Sequence, residues 1–384
     1  MDKNTSILFT SLVIVMMGFG MIIPILPFYI QSFGASGGSM GLVMASYSIM
    51  QFLFAPFWGS LSDKYGRKPL LILGMVGNGI AMFFGGVAST LWMLVASRAL
   101  AGMLSSATLP TAMAFIGDTT SEKDRGAGMG KMGAAMGVGM VLGPGIGGWL
   151  AETNLSYPFY LATALSFVGM LAIYLFLPES LPKEKRPQTK IARGPELRPM
   201  WDALFSPIGI LLFLAFLLSF GMTNFEAVFG IYALARFQYS PKEVGSILTV
   251  IGIVSALMQG AMVGPFTKKW GERKIIIASL LGGTLGFLLM LTAFNYLTVL
   301  LTVSLFIMSV AMLRPAVASL TSRHAGDIGQ GTAMGLNSSF MSLGRIVGPL
   351  WAGFLFDVNI SFPYMSGAII MLTGFGVAWK KCKK

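Results

Sequence analysis

Cysteine is nearly absent from this chain. The single thiol, Cys382, lies in Lys380-Lys381-Cys382-Lys383-Lys384, so no intrachain disulfide can form and the redox compartment stays unconstrained. Histidine is as scarce: His324 alone, in a polar loop, excludes a His-cluster metal site and most histidine-based catalysis. Charge is thin, with 11% of residues charged against 55% apolar, and a water-soluble fold of 384 residues could not cover its surface with so few polar groups. A Gly-x-x-x-x-Gly-Lys-Ser/Thr phosphate loop is missing, so ATP is not expected to drive the protein. What remains is a chain whose solvent, over most of its length, is lipid.

Acids are the scarcer sign, 15 Asp and Glu against 27 Lys and Arg, for a formal charge of +12. In a soluble protein that excess would point to nucleic acid. Here the cations sit in short gaps between long apolar runs, which fits basic loops facing an anionic leaflet and no nucleic-acid partner. Hydrocarbon leaves every backbone polar group to be satisfied within its own segment, so a crossing helix needs ~20 mostly apolar residues. Twelve runs qualify: 7–29, 39–58, 70–89, 91–115, 126–150, 158–177, 208–233, 244–264, 275–294, 296–320, 332–356 and 363–379. The first exceeds a signal-peptide core of about 7 to 15 residues and is expected to stay as a helix. The polar stretch 178–206, with Lys183, Lys185, Arg186, Lys190, Arg193 and Arg198, reads as a cytoplasmic linker between a bundle over 1–177 and another over 207–384.

Orientation follows from the cations. With both termini inside, the inner segments carry Lys3, Lys64, Arg67, Lys68, Lys123, Arg125, the linker cations, Lys268, Lys269, Arg273, Lys274, Arg323 and the tail lysines, whereas the outer loops carry only Arg236 and Lys242. An internal repeat at an offset of 205 residues pairs Gly59 with Gly264, Lys64 with Lys269, Gly66 with Gly271, Pro110 with Pro315, Gly126 with Gly331, Gly143-Pro144 with Gly348-Pro349, Gly148 with Gly353 and Pro158 with Pro363. Since equivalent basic loops lie on one side, each half holds an even number of spans. Two parallel six-helix bundles follow, related by an axis along the membrane normal, with a central cavity and alternating access by rocking.

Several motifs carry a family resemblance. The turn between the second and third spans, Gly59-Ser60-Leu61-Ser62-Asp63-Lys64-Tyr65-Gly66-Arg67-Lys68-Pro69, resembles the signature loop of the major facilitator superfamily, in which the loop acid latches onto neighbouring helix ends. Its copy, Gly264-Pro265-Phe266-Thr267-Lys268-Lys269-Trp270-Gly271-Glu272-Arg273-Lys274, lacks an acid at the position of Asp63. Gly139-Met140-Val141-Leu142-Gly143-Pro144-Gly145-Ile146-Gly147-Gly148 in the fifth span is similar to the segment that marks proton-driven antiporters of that superfamily. Glycines at three- and four-residue spacing admit a second helix at close range, and Pro144 bends its own. Arg98 in Arg98-Ala99-Leu100-Ala101-Gly102 follows a further family motif. An arginine inside a membrane costs ~2.5–3.5 kcal/mol on insertion scales, so its default reading is functional.

Glu226, in Ser219-Phe220-Gly221-Met222-Thr223-Asn224-Phe225-Glu226, is the acid deepest within a span. Burial of a carboxylate favours its protonated form, which suits a group that takes and releases a proton. With Arg314-Pro315 and Gly335-Leu336-Asn337-Ser338, this stretch resembles the Gram-positive multidrug efflux pumps of the NorA and Bmr type over nearly the whole chain. The resemblance implies an all-α membrane protein of the major facilitator fold, with twelve transmembrane helices, exporting amphipathic drugs in exchange for protons. It implies Glu226 in the proton and substrate cavity and suggests Phe19, Ile23, Gln51, Arg98 and Met140 as lining residues; Glu226 is expected to carry the proton with Arg98 as its electrostatic modulator, and the span cations Arg314 and Arg345 are expected at the same cavity. It implies Gly59, Asp63, Gly66 and Arg67 as cytoplasmic gate, and Gly139, Gly143, Pro144, Gly147 and Gly148 as antiporter helix.

Two positions depart from those pumps. Ala311 stands where they carry a second acid, three residues before the Arg-Pro pair, and Arg345 stands where they carry asparagine. The spans then hold Arg98, Arg314, Arg345 and the shallow, snorkelling Lys131 against Glu226. Arg345 is expected to pair with the ionised Glu226 or to meet an anionic or zwitterionic substrate group. No cofactor or metal is expected, a proton gradient supplying the energy; the partners are amphipathic small molecules, protons and the lipid bilayer, around a monomer in the cytoplasmic membrane. A narrow-substrate exporter of a tetracycline-like compound, sugar or lipid headgroup is the alternative, and a nontransporting membrane sensor a more distant one.

Overall fold

The computed structural model describes residues 3–121, 124–186, 194–195, 197–326 and 329–381. Lys123, Lys190, Arg193, Cys382, Lys383 and Lys384 lie outside the described residues. Within them the chain is helical, with no strand: α1 (Lys3–Ile22), α2 (Leu26–Ser32), α3 (Gly37–Tyr65), α4 (Arg67–Gly86), α5 (Leu91–Ser105), α6 (Thr108–Thr119), α7 (Arg125–Ala151), α8 (Tyr157–Phe176), α9 (Leu197–Leu204), α10 (Gly209–Phe237), α11 (Pro241–Leu257), α12 (Val263–Met290), α13 (Tyr296–Val310), α14 (Leu313–Arg323), α15 (Gln330–Val358) and α16 (Phe362–Lys381).

Eleven continuous helical stretches among the described residues are long and apolar enough to cross a membrane. One, Pro241–Met290, runs 50 residues. At 1.5 Å per residue it measures ~75 Å, more than twice the ~30 Å hydrocarbon core. It breaks at Gly271, whose φ of 76° and ψ of 157° are not helical. Counted as two, it completes the twelve crossings.

Proline decides where spans bend. The sequence predicts single helices over 7–29, 91–115 and 296–320, yet each is two helices with a short turn between. A proline cannot donate to the carbonyl four residues earlier, and its ring crowds that carbonyl. Pro110 and Pro315 thus free the carbonyls of Ser106 and Ala311, and α5 and α13 stop at Ser105 and Val310. Pro24 does the same to Gly20, and Pro27 then sits in the first turn of α2, where its missing N–H is no loss.

The 205-residue offset holds in three dimensions. It carries the bounds of α5, α6 and α8 onto those of α13, α14 and α16. Gly66 and Gly271 both take positive φ, 104° and 76°. Helix pairs repeat as well: α1 packs on α7 and α8 as α10 packs on α15 and α16, and α4 on α5 and α8 as α12 on α13 and α16.

Contacts divide the chain into two compact units, one of Met1–Ala35, Ser46–Pro195 and Tyr239–Thr249, the other of Ser36–Ala45, Glu196–Gln238 and Val250–Lys384. The first closes on Leu8, Leu12, Leu71, Met75, Phe115 and Met132. The second closes on aromatic rings, among them Phe225, Phe287 and Phe306, with Phe287 and Phe306 4.7 Å apart. Their outer faces are apolar too: Val168, Leu171, Tyr174 and Leu175 on α8 and Leu297, Leu301 and Leu305 on α13 stand exposed. Such stripes would be untenable in water and are what lipid covers. The protein is a multi-pass membrane protein.

Candidate functional site

In the first unit the central group is Arg98. It is 3% exposed, and its Nε and Nη1 find no hydrogen-bond partner among the described residues. Two ring faces stabilise its charge instead: the guanidinium carbon lies 5.0 Å from the Tyr47 centroid and 5.7 Å from that of Phe19, and those rings are 5.1 Å apart. Gly102 explains how Tyr47 comes so near. A Cβ there would run into the Tyr47 carbonyl, so the glycine of the Arg98-to-Gly102 motif seats α5 on the backbone of α3. Trp58 Nε1, three turns further along α3, donates to the Met103 carbonyl at 2.6 Å, and the Tyr47 hydroxyl lies 3.4 Å from the Ser105 hydroxyl. The box is fixed from three helices.

The antiporter-like stripe on α7 is a backbone-to-backbone contact. A Cβ on Gly139 would lie 2.7 Å from the Val13 carbonyl, and one on Gly143 2.6 Å from that of Met17 and 2.9 Å from the Gly20 Cα. Gly147 has no more room, against Met21. On the opposite face, Gly148 and the Pro144 carbonyl take the first turns of α11, where Gly245 comes within 3.1 Å of a Gly148 Cβ. Helix α15 repeats the arrangement in the second unit, Gly344 and Gly348 facing α10 and Gly353 facing Gly37 and Gly41 of α3. Asp357 caps that end, accepting from the backbone N–H groups of Gly37 and Gly38 at 2.7 and 2.8 Å.

In the second unit Glu226 is partly buried on α10, and the charge of Arg345 on α15 acts on it. Arg345 also donates from Nη2 to the Ser342 hydroxyl at 2.8 Å. By the offset, Glu226 and Arg345 occupy the repeat positions of Met21 and Met140, so positions that are apolar in the first unit carry opposite charges in the second. Arg314 stands exposed on the first turn of α14, whereas Gln51 and Met140 are partly buried and Ile23 is buried in the turn before α2.

The signature loop is a polar knot. Arg67, on the first turn of α4, pairs with Asp63 at 2.5 Å and with Asp118 of α6 at 3.0 Å, and donates to the Ser62 hydroxyl at 2.7 Å. The carboxylate at the start of α4 is Glu179, which accepts from the backbone N–H groups of Arg67 and Lys68 at 2.8 and 3.2 Å. The resemblance implies that Asp63 latches onto neighbouring helix ends; here Asp63, one turn before Arg67, pairs with that side chain, and the carboxylate that caps α4 is Glu179. Gly59 is partly buried with open space around it, whereas Gly66 takes a φ closed to most side chains and lies against Glu179.

The copy of this loop keeps the knot and reverses its polarity. Glu272 stands at the repeat position of Arg67 and Arg323 at that of Asp118, and they pair at 3.0 Å, with the Ser319 hydroxyl donating to Glu272 at 3.0 Å. Sequence reasoning registered that the copy lacks Asp63's acid but missed this pair; adding 205 to Asp118 would have found it. Tyr47, Asp118 and Glu179 were also missed, being common residue types outside any motif. Among the described residues no three His, Cys, Asp or Glu side chains gather as a metal set would.

The sequence profile of the Major Facilitator Superfamily matches residues 8–235 and again 211–383. The chain is 33% identical to "Multidrug resistance protein 1" of Bacillus subtilis strain 168, over 98% of this chain and 96% of that one. It is 32% identical to "Quinolone resistance protein NorA" of Staphylococcus aureus strain COL, over 97% and 95%. Among solved structures, the human organic anion transporter MFSD10 superposes with a TM-score of 0.72 at 24% identity, covering 98% of each chain, which speaks for the fold.

Proposed function

The chain belongs to the major facilitator superfamily, a family of transporters, and from that premise we propose that it exports amphipathic, drug-like molecules across the cytoplasmic membrane in exchange for protons. The observation that carries the reading is Glu226, a carboxylate within a span whose electrostatic partner is a cation on the next-packed helix. A protonatable acid that is charged in one access state and neutral in the other couples two gradients. When Glu226 is ionised, Arg345 stabilises it; when a proton neutralises it, Arg345 is released to meet an anionic group of the substrate. Arg98, held between Phe19 and Tyr47, offers Nε and Nη1 donors that no group among the described residues takes. No cofactor enters the cycle, the chain acts as a monomer, and both termini face the cytoplasm, as the cation distribution supports.

The names of the relatives support drugs as the cargo class, multidrug in one case and quinolone in the other. Fluoroquinolones carry a carboxylate at one end of their ring system and a basic amine at the other, and the excess of span cations here favours cargo of that zwitterionic kind over purely cationic dyes. The test is efflux of ethidium and of a fluorescent fluoroquinolone from energised cells, comparing the unmodified protein with Glu226→Gln at equal membrane abundance. Protonophore-sensitive efflux that the substitution abolishes is the expected result. Efflux of neither compound by the unmodified protein would contradict the broad substrate range.

A further inference from the structure

The helix that follows the linker leaves its apolar side uncovered. Leu197 and Trp201 on α9 and Phe205 just past its end fall at four-residue spacing and are 64, 65 and 77% exposed, while Met200 and Ala203 on the other side are buried. Trp201 and Phe205 meet edge-on at 5.8 Å. An element apolar on both sides, one against protein and one outward, belongs in the boundary layer of a bilayer, where tryptophan concentrates. The corner it makes with α10 is tight: Gly209 N–H donates to the Ser206 carbonyl at 2.9 Å, and a Cβ on Gly209 would collide with Leu204.

Beside that corner lies a cavity of about 500 Å³, bounded by Leu204, by Ile210 and Phe213 on α10, and by Gly376, Val377 and Lys380 on the last turns of α16. Its lining is apolar apart from Thr373 and Lys380, and Lys380 is exposed. The cavity continues the lipid-facing stripe of α16, Met365, Ile369, Leu372 and Trp379, all exposed. Gly376 has open space where a Cβ would stand, so the volume is not an accident of tight packing. Arg198, exposed on α9, adds a second cation to the elements of this corner. An apolar slot open to hydrocarbon with cations at its interfacial end matches one ligand chemistry: acyl chain within, phosphate outside.

We propose that this α9–α10–α16 corner binds an anionic phospholipid of the leaflet that borders the linker, its acyl chain in the slot and its headgroup phosphate on Lys380. The site depends on the membrane embedding alone and not on what the protein transports. One lysine near the surface contributes about fivefold in preference for an anionic over a zwitterionic headgroup. The test is native mass spectrometry of the purified, delipidated full chain, titrated with dioleoyl phosphatidylglycerol against dioleoyl phosphatidylcholine.

The unmodified protein should take phosphatidylglycerol first, by about fivefold. Lys380→Gln should remove the preference while still retaining lipid, and Lys380→Arg should restore it. Gly376→Leu, which fills the slot without a backbone clash, should lower first-lipid occupancy for both headgroups, and unchanged melting in detergent confirms that the variants fold. Either Lys380→Gln or Gly376→Leu behaving as the unmodified protein would overturn the proposal. So would displacement of the first lipid by millimolar inorganic phosphate, which would mark a free-anion site.

Discussion

Arg345 is, with Ala311, one of the two positions at which the chain is expected to depart from the pumps it resembles, and its chemistry can be tested alone. Removing it leaves Glu226 without the charge that acts on it, so Arg345→Asn should change the pH dependence of transport and depress fluoroquinolone efflux more than ethidium efflux. Arg345→Lys, which keeps the charge and loses only the planar fork, should retain most of both. Unaltered pH profile and substrate range in the asparagine variant would remove Arg345 from the mechanism. At this scale the sequence was legible wherever a charge stood in an apolar run, because hydrocarbon makes such a residue expensive and therefore conspicuous. Arg98, Glu226 and Arg345 were visible for that reason. Tyr47 was not, since one tyrosine in an apolar helix says nothing until Gly102 of another helix brings its ring over Arg98.

Among the elements, the α1–α7 contact leaves no room for a methyl group at Gly139, Gly143 or Gly147. Gly143→Ala would push a Cβ to 2.6 Å from a backbone carbonyl that cannot rotate away, whereas Gly137 on the same helix has nothing within 4 Å. The first should cost about 1–3 kcal/mol and lower the melting temperature in detergent, while Gly137→Ala should be neutral or slightly stabilising. The glycine spacing made the first effect legible; which of the α7 glycines face protein was not, because nearly every turn of α7 carries one. The polarity-reversed ion pair gives a second test. Glu272→Arg should lower melting, and adding Arg323→Glu should recover about 1 kcal/mol, a modest value because Arg323 is 66% exposed. Additive losses in the double variant would mean that the pair is incidental. Helix bounds failed where proline stood, at Pro24, Pro110 and Pro315, since hydropathy alone does not register a missing N–H.

For the whole molecule, duplication was the most informative signal, and it survives in the bounds of paired helices and in Gly66 and Gly271. The repeat reproduces scaffold, not chemistry: Arg98 faces Val303 across the offset, and Glu226 faces Met21. Orientation can be read with the chain's own thiol. A membrane-impermeant maleimide should leave Cys382 unlabelled in intact cells and label it in inside-out vesicles, as the basic tail requires. The most direct trial of proton coupling uses purified protein in proteoliposomes with an imposed pH gradient, following ethidium accumulation and, separately, exchange at equal pH. The unmodified protein should accumulate ethidium against its gradient, and Glu226→Gln should fail to accumulate while still exchanging. Accumulation by Glu226→Gln at the unmodified rate would contradict a proton cycle through Glu226.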